Sequence, residues 1–423
     1  MKITILTIGT RGDVQPLIAL GLGLKQAGYS IKIVTHSIFA SWIEGYGFEF
    51  APVEGDPIGF LESEEGKQIL ESGSNPIEFI RLFSQTISPF VDRLMSDIWQ
   101  ACQSTDAIIA HSALFWTYDL ARKLDVPYFL ACYTPQTATT KYPVAMGYGK
   151  SANGLLNYLS YPLSSLFLWQ IFRKPVDRWL QSNLDLPARS FLKSPLFSMR
   201  KQQVPFLYAC SHYVLPKPQN WREKDYVTGY WLLDSATDWK PSEDLAKFLQ
   251  AGSPPIYIGF GSMSNREPEK ITNIVLAALE RTNQRGILAT GWGGVSNADL
   301  PDSVLKIDSV PHDWLFPKCM AAIHHGGAGT TAAGLKAGVP TIIVPFFSDQ
   351  PFWGQRVADL GIGIEPIEQK ELTVDKLSTA IATVVSSHLI RDRATALGEQ
   401  IRAENGVENA VMAIEQYLCI AVR

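Results

Sequence analysis

His324-His325-Gly326-Gly327-Ala328-Gly329-Thr330-Thr331 follows the short apolar run Met320-Ala321-Ala322-Ile323, and Gly338-Val339-Pro340 and Ser348-Asp349-Gln350 come after it. The apolar run reads as a short buried strand, and the segment from Thr330 begins like a helix. Between them stand three glycines within four positions. A strand, a glycine-rich turn and a helix N-terminus together make an anion site. The unpaired N–H groups of the first helical turn point at the ligand, and the helix dipole favours negative charge there. Glycines let the backbone approach a phosphate with no Cβ between them. His325 and Thr330 can add side-chain donors. No Gly-Lys-Ser/Thr follows, so this is not a P-loop, and the GxGxxG dinucleotide fingerprint is missing from the start of the chain. The stretch predicts a site for a phosphorylated ligand other than ATP.

The rest of the chain bounds what such a site can serve. With 423 residues, 46% of them hydrophobic, there is room for two domains with large cores. A net charge of −4 and a pI of about 6.0 supply no basic field for nucleic acid. Cys102, Cys132, Cys210, Cys319 and Cys419 lie far apart with no CxxC pair. This predicts a reducing cytoplasm and neither a disulfide scaffold nor a zinc site. No HExxH pattern occurs among the histidines, and no metal site is expected. The apolar start, residues 1–8, is interrupted too early by Arg11 and Asp13 to be a signal segment. A buried parallel strand is the reading.

Strands alternate with helical stretches. Residues 3–8, 31–35, 107–110 and 128–131 read as strands, and residues 14–27 and 117–124 as helices, the first ending at Gly28. The pattern breaks at Leu215-Pro-Lys-Pro-Gln-Asn-Trp221 and stays polar to about Pro255. It restarts as strands at 256–261, 286–290, 321–324 and 341–345, with a helix over 271–281. Short apolar strands between helices imply parallel sheets covered on both faces. Two such series imply two doubly wound, Rossmann-like domains facing across a cleft, 1–220 and 221–401, with a C-terminal helix over about 402–423 packing back on the first. Residues 154–172 carry no charge and are long enough to span a bilayer. Six polar or proline positions dilute them, so an apolar wall of a cleft is expected ahead of weak contact with a membrane surface, and a true span last.

Laid together, Thr10-Arg-Gly-Asp-Val-Gln-Pro16, Gly259-Phe-Gly-Ser-Met263, Gly291-Trp-Gly293, Val310-Pro-His-Asp-Trp-Leu-Phe-Pro317, His324 through Thr331 and Pro345-Phe-Phe-Ser-Asp-Gln-Pro-Phe-Trp353 resemble the family-1 glycosyltransferases with the GT-B fold. Within that family the chain looks most like the sterol glucosyltransferases and their bacterial relatives that glycosylate lipids, polyketides and glycopeptide aglycones. The motifs run in family order, and the resemblance weakens between about 55 and 215, where the acceptor is usually recognised. It implies an inverting transfer from a nucleotide sugar, usually UDP-glucose, to a hydroxyl, with no cofactor and no required metal. The residues agree on the last point. No Asp-x-Asp pair adjoins the phosphate loop to hold Mg²⁺, so the diphosphate charge falls to the helix N-terminus, His325 and Thr330.

The resemblance also implies roles. Asp13 corresponds to the general base, although a carboxylate in that turn also suits a helix cap. His111, at the end of a strand, falls where macrolide-type relatives place an Asp beside a catalytic His, so the pair is reversed here. Thr10, Arg11 and Gly12 approach the nucleotide sugar, and Ser262 donates to a phosphate or caps a helix. Val310 and His312 belong to the loop that holds the base, with Trp292 or Trp314 as stacking candidates. Ala333 stands where plant-type members keep a ribose-binding Glu, so ribose recognition differs. Gly327, Ala328, Gly329 and Thr330 line the phosphate turn, and Asp349 and Gln350 suit vicinal sugar hydroxyls.

The expected protein is a cytoplasmic enzyme, peripheral to a membrane at most. It moves a hexose, glucose foremost, from a UDP-sugar to an apolar hydroxylated acceptor such as a sterol, lipid or polyketide. That acceptor is expected against residues 55–215, which are rich in aromatics. A TDP-deoxysugar-dependent natural-product enzyme and a non-catalytic nucleotide-sugar-binding accessory are the alternatives. Acceptor identity and oligomeric state are not legible.

Overall fold

In the computed structural model, residues 1–56, 59–60, 63–71, 76–146, 153–233, 239–260, 268–289 and 300–421 are described. They fall into two compact units, one of Met1–Val144, Ser151–Leu233 and Asn405–Arg423, the other built on Asp234–Glu404.

The first unit holds a parallel sheet in the order β3-β2-β1-β4-β5-β6-β7. Its strands are β1 (Lys2–Leu6), β2 (Ser30–His36), β3 (Glu49–Val53), β4 (Ala107–His111), β5 (Tyr128–Cys132), β6 (Phe206–Tyr208) and β7 (Asp225–Val227). Central strands are buried on both faces, which is why β1, β4 and β5 are written almost wholly in apolar residues. Ile3, Ile5 and Ile109 pack against Val14, Leu17 and Ile18 of the helix Arg11–Gln26. The C-terminal helix Gly406–Ala421 adds Ala410, Ile414 and Leu418 to the same core, and Asn409 Nδ2 donates to the Thr228 carbonyl at 2.9 Å.

The second unit orders its strands β10-β9-β8-β11-β12. These are β8 (Ile256–Gly259), β9 (Gly286–Ala289), β10 (Val304–Ile307), β11 (Ala321–His324) and β12 (Thr341–Ile343). Ile271 and Val275 of the helix Pro268–Arg281 and Leu377 and Ile381 of the helix Val374–Ser386 share a core with β8 and β11. Leu315, Phe316 and Val339 belong to a second cluster, with Tyr257, Ile287 and Ala322 of the sheet.

The first unit runs further than the sequence reading placed it, to Leu233 rather than 220. Residues 215–221 are a turn inside it: Trp221 stacks on Tyr208 at 4.5 Å, and the Arg222 N–H donates to buried Asp225 at 2.9 Å, starting β7. The uncharged residues 154–172 open a helix of 31 residues, Gly154–Leu184, that contains Pro162 and Pro175. Among the described residues no helix is long and apolar enough to cross a membrane.

The C-terminal helix should contribute strongly to the first unit. Ile414 is fully buried, so Ile414→Ala should cost roughly 2–5 kcal/mol through lost transfer energy and a cavity. Met412, 58% exposed on the same helix, should tolerate alanine at near-zero cost. Urea unfolding of both variants checks this, read as a shift in midpoint with unchanged slope.

Candidate active site at two sheet reversals

In each sheet the strand order reverses once, between β1 and β4 and between β8 and β11. Crossovers leave such a point towards opposite faces, and a crevice opens beyond the carboxyl ends of the two strands. Of the predicted site residues that are described, Thr10 to Asp13 and His111 lie at the first point, His325 to Thr330 at the second, Asp349 and Gln350 after the neighbouring β12, and Val310 and His312 after the edge strand β10.

At the first, Thr10 caps the helix Arg11–Gln26 and Asp13 is its third residue. Asp13 Oδ2 accepts from the Thr10 N–H at 2.8 Å and the Thr10 hydroxyl at 3.2 Å. Gly9 makes this fold-back feasible. Its φ is +119°, and a β-carbon there would sit 2.4 Å from Asp13 Oδ2. The Asp13 carbonyl accepts from the Tyr133 hydroxyl at 2.8 Å and the Thr7 hydroxyl at 3.1 Å. Asp13 is therefore fixed through its main chain and through one carboxylate oxygen, and the bonds described to its carboxylate all end on Oδ2.

His111 ends β4 and stacks on the Tyr133 ring at 4.6 Å. Burial lowers its pKa, while the nearby Asp13 charge pulls it up. Its Nδ1 has no hydrogen-bond partner among the described residues. His36, which the sequence reading passed over, ends β2 on the other flank of β1. Burial lowers its pKa too, with Asp13 among the groups that raise it. Asp13 thus lies within electrostatic reach of histidines at the ends of both strands beside β1. Arg11 stacks over Trp42 at 4.9 Å and bonds Gln15 at 3.3 Å, while Gly12 is exposed.

At the second reversal β11 runs into the helix Ala328–Ala337, with Gly327 as its extended N-cap. Gly326, at φ +89°, passes so close to the next loop that a β-carbon would meet Ile343 Cγ2 at 2.6 Å and the Gln350 carbonyl at 3.1 Å. The helical ladder begins with Thr331 N–H to the Gly327 carbonyl, 2.9 Å. The N–H groups of Ala328, Gly329 and Thr330 precede it and find no acceptor within the helix. The His325 ring leans over this end, with Nε2 2.6 Å from where a Gly327 β-carbon would be. Burial pushes the His325 pKa down to about 4, against the pull of the Gly259 backbone, so the imidazole is neutral at pH 7. His324 is fully buried and uses Nδ1 to accept the Gly326 N–H at 3.0 Å, which holds the turn.

Around this centre several assignments change. Gln350 Oε1 accepts the N–H groups of Phe346 at 2.7 Å and Phe347 at 3.2 Å, so its oxygen ties the loop and only the amide NH₂ can serve a ligand. Ser348 in that loop takes φ +59°, a left-handed conformation unusual for serine. Half-buried Asp349 accepts from Trp353 Nε1 at 2.9 Å. His312 stacks on Phe316 at 4.5 Å and shares a 3.1 Å hydrogen bond with the Tyr257 hydroxyl, just after half-buried Val310. Trp314 packs against Trp239 at 4.9 Å with Lys318 over its ring, a packing role rather than an open stacking platform. Ser262 and Trp292 lie outside the described residues. In the first unit a cavity of about 90 Å³ is walled by Tyr158, Tyr161, Leu168 and Leu196, with Gln136 and Arg200 as polar groups. Trp116 and Trp169, two of the aromatics between residues 55 and 215, are fully buried core.

Residues 3–143 match the glycosyltransferase family 28 N-terminal domain, and residues 275–416 match the C-terminal domain of erythromycin biosynthesis protein CIII-like proteins. The chain belongs to the glycosyltransferases with the GT-B fold. It is 40% identical over 427 residues to sterol 3-beta-glucosyltransferase of Sclerotinia sclerotiorum, covering 98% of this chain and 29% of that one. The Yarrowia lipolytica sterol 3-beta-glucosyltransferase is likewise 40% identical, with 98% and 28% covered. The chain thus spans less than a third of the length of these relatives. Among solved structures, the glycotransferase of kitacinnamycin matches with a TM-score of 0.73 at 18% identity, 98% of each chain covered. The calicheamicin glycosyltransferase matches with a TM-score of 0.67 at 17% identity, 99% of this chain and 98% of that one covered.

The buried histidines make the fold sensitive to acid. His36, His111, His324 and His325 all have folded pKa values below the unfolded value of about 6.5. Between the folded and unfolded values the unfolded chain binds more protons, so stability rises with pH there and is lost on acidification. For His325 that window runs from about 6.5 down to about 4. Urea unfolding across this range should show the loss, and His325→Gln should flatten the slope. A wild-type slope of zero would contradict the assignment.

Proposed function

We propose that this chain is an inverting hexosyltransferase that moves glucose from UDP-glucose to the hydroxyl of an apolar, sterol-like acceptor. The observation that carries the reading is the pairing of two chemically distinct strand-end sites on one chain. One is a half-buried carboxylate fixed through a single oxygen; the other is an uncapped helix N-terminus under a neutral imidazole. Asp13 accepts the proton of the acceptor hydroxyl while the acceptor oxygen bonds to C1 and the C1–O bond to the diphosphate breaks. The N–H groups of Ala328, Gly329 and Thr330, with His325 as a neutral donor, stabilise the departing diphosphate. Tyr133, on which His111 stacks, holds the Asp13 main chain, Val310 and His312 border the base, and Asp349 with the Gln350 amide binds sugar hydroxyls. Thr10, Arg11, Gly12 and Ser262 complete the donor side. The names of the relatives at 40% identity support glucose and a sterol-like acceptor. Solved structures that hold thymidine diphosphate are 16–17% identical to this chain and speak for the fold alone. Release of UDP or TDP across a panel of sterol and phenolic acceptors tests the assignment. Turnover only with a TDP-sugar would overturn the donor, and no turnover with any pair would favour an accessory role.

The two sites should separate kinetically. Asp13→Ala should lower kcat by roughly 10²–10⁴-fold with UDP affinity nearly unchanged. His325→Ala should weaken UDP binding, measured by calorimetry, in a protein that still melts cooperatively. Near-normal turnover in the first variant, or unchanged UDP affinity in the second, would refute the corresponding role.

Chelation provides a further check. Among the described residues no three His, Cys, Asp or Glu side chains gather to hold an ion. With helix N–H groups meeting the diphosphate charge, activity should survive EDTA. Loss on chelation with recovery on adding Mg²⁺ or Mn²⁺ would mean that a metal bridges the diphosphate.

A further inference from the structure

His324 does for the glycine-rich turn what asparagine does in an Asx turn. The sheet fixes its main chain: it pairs with Gly259 on one side and Ile343 on the other, and its carbonyl accepts the Val344 N–H at 2.9 Å. Its side chain then reaches two residues on, where Nδ1 accepts the Gly326 N–H at 3.0 Å. Asn and Asp make that bond through a side-chain oxygen, and in histidine Nδ1 is bonded to Cγ as Oδ1 is in asparagine. Accepting this bond leaves Nδ1 without a proton, so the neutral ring carries its hydrogen on Nε2. Nε2 has no hydrogen-bond partner among the described residues, which leaves the Gly326 N–H as the ring's one partner among them. Complete burial lowers the pKa of His324 well below the ordinary value, and His325 and His312 act the same way, so the acceptor stays free at pH 7.

The residue held in this way touches both the helix end and the loop after β12. Gly326 directly precedes Gly327, the N-cap of the helix Ala328–Ala337. A β-carbon on Gly326 would stand 3.1 Å from the Gln350 carbonyl and 3.6 Å from its Cα, so turn and loop lie backbone against backbone. Buried Gln350 in turn closes its own loop, with Oε1 accepting the N–H groups of Phe346 and Phe347. Contact therefore runs from His324 Nδ1 to Gly326, and from Gly326 to the main chain beside Asp349. Without the histidine acceptor the Gly326 N–H would be buried and unsatisfied, which is costly. A glycine at φ +89° has the freedom to turn that N–H elsewhere. Such a rotation would displace the Gly327 cap and the surface on which Gln350 rests together.

We propose that His324 is a positioning residue whose Nδ1 sets the glycine-rich turn and, through Gly326, the loop bearing Asp349 and Gln350, so that one buried ring governs recognition of both the diphosphate and the sugar. This rests on the reading that a UDP-sugar binds at the turn. Calorimetry with UDP and with UDP-glucose tests it. His324→Gln, whose amide oxygen lies one bond further from the backbone, should bind UDP about tenfold more weakly and UDP-glucose more weakly still. His324→Leu, with no acceptor, should behave alike. His324→Asn restores an acceptor at the Nδ1 position and should keep both affinities within about threefold of wild type. Equal affinities in His324→Gln and wild type, or a folded His324→Asn that binds no better than His324→Gln, overturn the proposal. A lower melting temperature with both affinities unchanged would mark a purely structural role. Nitrogen-15 NMR of labelled histidine in the wild type needs no altered side chain. It should show this ring as the neutral Nε2–H tautomer at pH 7, with and without UDP. A charged ring or the Nδ1–H tautomer overturns the proposal even where the variants do not fold. Wild type that binds neither UDP nor UDP-glucose would overturn the donor reading, and this proposal with it.

Discussion

The chemistry of this chain hangs on the reversal of strand order in two parallel sheets. A parallel strand gives up its last carbonyls and the next helix its first N–H groups at the same edge, and only where neighbouring crossovers part does that edge stay open. In the first sheet Ile5 pairs with Ile109 and Leu6 with Ala110, so β1 and β4 end in step and the turn bearing Asp13 comes beside His111. In the second, His324 pairs with Gly259, which brings the start of the glycine-rich turn level with the end of β8. Register alone decides which side chains meet at each opening.

Magnitudes separate what the helix end and the histidine contribute. With a pKa of about 4, roughly one His325 ring in a thousand carries a proton at pH 7. The imidazole is therefore a neutral dipole, and the standing positive potential is the helix end, worth about half an elementary charge. A diphosphate placed there would itself raise the histidine pKa, because an adjacent anion favours the charged ring. Asp13 shows the same economy: Thr10 anchors Oδ2, so capping the helix and presenting the carboxylate are served by one conformation.

What the sequence revealed follows burial. The strands at the middle of each sheet are covered on both faces and read as plain apolar runs, and the glycine-rich turn carries its own signature. Three of the outer strands gave no such signal, unlike the edge strand β12, which is legible at 341–345. β3 includes Pro52, β7 is three residues starting at Asp225, and β10 contains Lys306. Each sits at a sheet edge, where one side needs no pairing and the apolar pattern relaxes. Side-chain commitments were less legible still. Nothing in Ser348-Asp349-Gln350 says that the Gln350 oxygen closes its own loop, nor that Trp314 lies against Trp239, because both depend on residues brought in by folding. His36 escaped notice because a histidine ending a strand looks the same whether or not a carboxylate lies beside the next strand over.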